Sequence, residues 1–266
     1  MTHIRRAFAD LSVGQVHYAA CGDPRAQPVL LLHQSPRSWR EYQAVLPLLG
    51  ARWHAIAMDT AGFGDSEGGG PASIAHYAQV ALELVDHLGL AQVHVVGHHT
   101  GGVIAVELAA TAPQRVASLT LSSTPFTDAA FRAERATRPP IDEVPASADG
   151  SHLAALWQRR QGFYPEGMPE LLQAFVRDAL AVDDPEAGHR AVASYRMEER
   201  VEHIRQPVCV LRTTHDPFAA PHAADWIERL PQARLVEIEG GMVPLPDQMP
   251  AQFAEAVDRF LSGLLR

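Results

Sequence analysis

The sequence predicts an α/β protein whose mostly parallel eight-stranded sheet carries helices on both faces and takes a helical insertion late in the chain. Three observations predict this. Short β-branched and leucine-rich runs alternate with helical patterns; the alternation stops between about Pro125 and Arg205 and then resumes; and 266 residues, 47% hydrophobic and 20% charged, suffice for one large core with an insertion. In chain order, Arg6 to Leu11 and Gln15 to Cys21 read as a hairpin whose turn region is Asp10 to Gly14. The runs Val29 to Leu32, His54 to Met58, Val93 to Val96, Val116 to Leu121, Val208 to Arg212 and Arg234 to Ile238 read as strands. Between them, Tyr42 to Leu49, Ile74 to Leu88, Val103 to Thr111, Ala220 to Leu230 and Gln252 to Leu264 carry apolar residues at helical spacing, several behind Ser or Pro start signals. Each crossover is long enough for a right-handed unit.

Residues 1–124 and 206–266 are thus expected to form the core, and 125–205 a helical cap. In the cap, Pro139-Pro140 and Asp184-Pro185 punctuate helical pieces at His152 to Gln161 and Met168 to Leu180. Such an insertion would overhang the carboxyl ends of the strands, where open α/β sheets bind ligands. Trp157, Tyr164 and Tyr195 are therefore candidates to line a pocket, the competing role for each being cap core.

Composition narrows the partners. A formal charge of -9, scattered along the chain, supplies no basic footprint for nucleic acid or anionic lipid. Met1 to Leu11 lacks a signal-like apolar core, and no run approaches the roughly 18 apolar residues of a membrane span, so a soluble cytoplasmic protein is expected. Cys21 and Cys209 fall in separate predicted strands and read as buried thiols. Neither a GxGxxG nor a Walker pattern is present, and no organic cofactor is expected. A small-molecule substrate is the expected partner, with the oligomeric state open.

The stretch Val95-Val96-Gly97-His98-His99-Thr100-Gly101-Gly102 has the form of a nucleophile elbow, a strained strand-to-helix turn that pushes one side chain out over the end of a sheet. That side chain is His99. With three further motifs in order, the chain resembles an α/β-hydrolase with a helical cap from Arg6 to Leu264. His33-Gln34-Ser35-Pro36 is similar to the HGxP oxyanion loop, Asp59 to Ser66 to the DxxGxGxS turn, and His215-Asp216-Pro217 to the acid loop. The resemblance implies a triad of nucleophile, acid and a histidine on the final loop. Only Asp216 survives: histidine replaces the nucleophile, and Met242 stands where the histidine is expected. No histidine follows His222, so no shift of register restores one. An ordinary serine-hydrolase mechanism is excluded.

The two departures read as one coupled change, in which His99 reaches into the space beside Met242 and pairs with Asp216 as a general base. Oxyanion donors are expected from the backbone N–H of Thr100 and from the His33 loop, at Ser35 or Gln34. His99 as base would activate water for hydrolysis, or take a substrate proton in a lyase, isomerase or retro-aldol type reaction. As nucleophile it would form an acyl-imidazole. Two readings of other classes compete: a binding protein that has lost its chemistry, and a metal site built from His33, His98, His99, His215 and Asp216, which lack HxxxH or HxH spacing. Asp59 reads as a turn residue and Glu107 as a solvated or helix-paired charge. His152, His189, His203 and His222 read as surface or satisfied core residues.

Overall fold

The computed structural model describes residues 3–265. β1 (Arg5–Leu11) and β2 (Gly14–Cys21) form the expected hairpin, and β2 runs antiparallel to β4 (His54–Met58). β3 (Pro28–Leu32), β5 (Val93–His98), β6 (Val116–Ser122), β7 (Val208–Thr213) and β8 (Arg234–Ile238) complete an eight-stranded sheet in the order β1-β2-β4-β3-β5-β6-β7-β8, parallel from β4 onward. The chain steps from β3 outward to β4, then returns to place β5 on the other side of β3. That reversal opens a crevice beyond the carboxyl ends of β3 and β5, where the His33 loop and the elbow leave the sheet.

Alternation along the strands divides the core between two faces. Leu30, Leu32 and Val95 point to the side covered by α2 (Ile74–His87) and α3 (Thr100–Thr111). Val29, Leu31 and Val96 point to the side covered by α1 (Val45–Leu49) and α10 (Pro250–Leu264). Every residue of β5 is buried, as expected for a central parallel strand. The expected helix at Tyr42 to Leu49 is instead a 3-10 turn, Trp39–Tyr42, followed by the short α1. No helix among the described residues is long and apolar enough to cross a membrane.

Between β6 and β7 lie α4 (Ala129–Arg135), α5 (Ser151–Arg160), α6 (Pro169–Leu180) and α7 (Ala187–Ser194), with no strand. α5 and α6 build a small core of their own from Leu156, Leu172 and Phe175. Polar tethers hold this insert to the sheet. Buried Arg37, beyond β3, donates to Asp178 of α6 at 2.9 Å and to Asp247 at 2.7 Å, the latter in α9 (Leu245–Gln248). Glu107 of α3 is buried and accepts from Tyr195 Oη at 2.7 Å and Arg200 Nε at 3.0 Å. It is therefore a buried clasp, not the solvated or helix-paired charge expected from its helical setting. α8 (Ala223–Arg229) follows β7.

Candidate active site

The elbow is built by close backbone approach. A Cβ on Gly101 would lie 2.0 Å from the Leu32 carbonyl oxygen, and one on Gly97 2.3 Å from that of Gly101. Glycine at both positions lets α3 start against the end of β3. His99 pays for this packing with φ 47° and ψ -113°, a region that costs a non-glycine residue on the order of 1–3 kcal/mol.

His99 Nε2 lies 2.7 Å from Asp216 Oδ2. The separation is that of a hydrogen bond, but the carboxylate oxygen sits off the N–H direction, and neither atom has another partner among the described residues. Apo sites commonly hold such pairs slightly misaligned. Asp216 is fixed from behind: its Oδ1 accepts from the N–H groups of Phe218 at 2.9 Å and Ala219 at 3.3 Å. Burial pushes this carboxyl up, but the His99 ring and the Phe218 N–H outweigh burial together and hold it below its ordinary value. His99 Nδ1 has no partner among the described residues, and His99 lines a cavity of about 280 Å³.

Gln34, Ser35 and Thr100 line the same cavity. Gln34 is committed to buried Glu41, donating from its backbone N–H at 3.0 Å and from its side-chain amide. Only Ser35 of the two expected loop donors is available, its N–H resting on Thr100 Oγ1 at 3.4 Å. His33 is buried in scaffolding: Nδ1 donates to the Gln34 carbonyl at 2.7 Å, and Nε2 accepts from Thr60 N–H at 3.0 Å. His98 is equally occupied, with Ser122 Oγ at 3.0 Å and the Val243 carbonyl at 2.8 Å. Burial above all, then the His99 ring, pushes His98 down to about 3. His215 is exposed and bonded to Thr214. The five residues considered as metal ligands thus do not present free donors to one point. Asp59 anchors its turn, accepting from Trp39 N–H at 2.6 Å and Asp65 N–H at 2.9 Å and contacting His17 Nδ1 at 2.9 Å.

The expected pocket aromatics lie elsewhere. Tyr164 and Trp157 belong to the insert's own core, which needs their apolar surface, and Tyr195 is spent on Glu107. Met242 does not line the cavity; Val243 does. Gln248 staples the Met242 loop, accepting from Met242 N–H at 2.7 Å and donating to the Gly240 carbonyl at 2.9 Å. Sequence reasoning missed Arg135, Arg160, His189 and His222, which line the cavity from the insert and its flank. No short motif marks them, because helices from distant segments bring them together. Gly188 of α7 sits so close to Ser35 that a Cβ there would fall 1.9 Å from Ser35 Oγ, which locks the insert over the loop.

Glu41 yields a pH prediction. Burial first, then the Asp247 charge against the pull of Arg37, raise its carboxyl from 4.5 to about 7. Between those values the folded protein keeps a proton that the unfolded chain has released, so this group's contribution to stability falls as pH rises from about 4.5 to 7. Denaturant titrations should show a shallower loss across that window in Glu41→Gln than in the parent protein; identical pH slopes would contradict it.

The chain belongs to the alpha/beta hydrolase fold family, whose model matches residues 27–242. It is 37% identical over 107 residues to the soluble epoxide hydrolase of Corynebacterium sp., a match covering 39% of this chain and 36% of that protein. The chain thus spans about a third of the length of that curated relative. Among solved structures, an esterase from Rhodococcus sp. superposes with a TM-score of 0.80 at 22% identity, covering 97% of this chain and 98% of the other. The enol-lactonase from Burkholderia xenovorans gives 0.78 at 20% identity, covering 96% and 100%. These structural likenesses establish the fold.

Proposed function

We propose that this protein is a hydrolase for a small carbonyl compound, with His99 as general base, Asp216 as its partner, and the N–H groups of Thr100 and Ser35 as oxyanion donors. The observation that carries this reading is the 2.7 Å His99–Asp216 contact, beside a cavity that both donor residues also line. The hydrolytic activities named for the epoxide hydrolase and esterase relatives agree with it.

In the reaction, His99 Nδ1 takes a proton from water as the water oxygen attacks the carbonyl carbon. The imidazolium is stabilised by ionised Asp216, and the carbonyl oxygen gains the negative charge. The first-turn N–H of Thr100 has no intrahelical partner and meets that oxygen at the positive end of α3. Ser35 N–H exchanges its long bond to Thr100 Oγ1 for the same oxygen. Collapse of the tetrahedral species breaks the bond to the leaving alkoxide, which takes the proton back from the imidazolium. The insert acts as a lid over these groups.

His99→Ala tests the reading. Turnover of short-chain aryl esters and lactones should fall by about 10²- to 10⁴-fold, the usual worth of a positioned base. Circular dichroism should show the protein still folded, since alanine keeps the backbone strain of a non-glycine residue and the lost ring lines a cavity rather than the core. An active His99→Ala protein would overturn the proposal.

A further inference from the structure

The insert's wall of the cavity is cationic, with Arg135, Arg138 and Arg160 all lining it. Two of the three are neutralised. Arg160 donates Nε to Asp142 Oδ1 at 2.6 Å and makes a second contact from Nη2 to Oδ2, and Arg138 pairs with Glu134. The side chain of Arg135, the last residue of α4, makes no hydrogen bond or ion pair with any described residue.

Its surroundings oppose its charge. Burial above all, then Arg138, pushes the guanidinium below its ordinary value, and Arg160 adds to this. The two nearby carboxylates that favour the charge are already engaged. Glu186 accepts from the backbone N–H groups of Ile141, Asp142 and Glu143, and Glu134 is held by Arg138. An arginine does not shed its proton at neutral pH, so a partly desolvated positive charge is left facing the cavity without a counter-ion. Its planar fork matches a carboxylate, which it binds through two charge-assisted hydrogen bonds. One unpaired guanidinium balances a monoanion; a phosphate dianion would need another free cation. Phe131, Ile141, Val192 and Phe218 supply apolar wall in the same cavity.

We propose that Arg135 is a specificity-determining residue that receives a carboxylate, so that the substrates are esters or lactones carrying a carboxylate separated from the reacting carbonyl by a short apolar chain. The ester and lactone part rests on the hydrolase reading of this cavity; capture of the carboxylate does not.

Binding is measured by calorimetry in His99→Ala protein, where no turnover is needed, with monomethyl glutarate and its neutral match dimethyl glutarate. The hemi-ester should bind at least about tenfold more tightly. Arg135→Gln in the same background should erase that preference, and Arg135→Lys should keep part of it. Equal binding of the two esters, or a preference that survives Arg135→Gln, would overturn the assignment. In parallel, the parent protein is assayed with the p-nitrophenyl hemi-ester of glutarate and with p-nitrophenyl butyrate, and the kcat/KM ratio should favour the anion by a similar factor. Hemi-ester binding that depends on Arg135, with no turnover of either compound, sinks the hydrolytic reading and leaves Arg135 standing. Turnover without preference does the reverse.

Discussion

Asp216→Asn should lower kcat/KM by about 10²- to 10⁴-fold while leaving the protein folded, because it changes which ring nitrogen of His99 carries the proton. The Phe218 and Ala219 N–H groups already donate to one oxygen of Asp216, and they will select the carboxamide oxygen of asparagine for that place. The NH₂ group is then left facing His99 Nε2. To avoid opposed donors, the ring must accept at Nε2 and place its proton on Nδ1, where the base needs a lone pair. The side chain keeps its shape and its anchor, so circular dichroism and the thermal midpoint should change little. Unchanged turnover in this variant would break the link between His99 and Asp216 on which the mechanism depends.

Arg37→Ala should destabilise the fold by about 3–5 kcal/mol, as removal of one partner from a buried ion pair does. Arg37 is 1% exposed and lies between Asp178 and Asp247, joining the segment after β3 to α6 in the insert and to α9. Its loss leaves Asp247, largely buried, without its paired cation. The carboxyl of that residue is already raised, by burial first, against the pull of Arg37. Calorimetric scans should show the midpoint falling on the order of 10 °C for a chain of this size. Adding Asp247→Asn should recover part of the loss by removing the stranded charge. A single variant as stable as the parent would mean that Arg37 does not secure the insert.

The strand runs and helix starts were legible because each is written locally: a short continuous apolar run in Val29 to Leu32, a Ser73 cap before Ile74, glycine at Gly97 and Gly101. The nearness of His99 to Asp216, 2.7 Å in the structure, was also legible by subtraction, since no histidine follows His222. α4 and α7 went unread because each is only about two turns long and spans too few residues to establish a helical period, and their faces are defined by what they pack on. Glu107 illustrates the same limit. A glutamate within a helix pattern reads as solvated until Tyr195 and Arg200 arrive from about ninety positions away to bury it. Arg135 is a still longer reach, since its lack of a counter-ion depends on where Glu134, Glu186 and Arg138 spend themselves.

An imidazole at the elbow, with none on the final loop, also limits what single substitutions can do. A serine at position 99 alone would stand without a base, because the Gln248-stapled loop holds methionine at 242. A histidine at 242 alone would add a second imidazole without supplying a hydroxyl nucleophile. Neither single replacement assembles serine, histidine and aspartate together, so installing serine chemistry on this scaffold requires both substitutions at once.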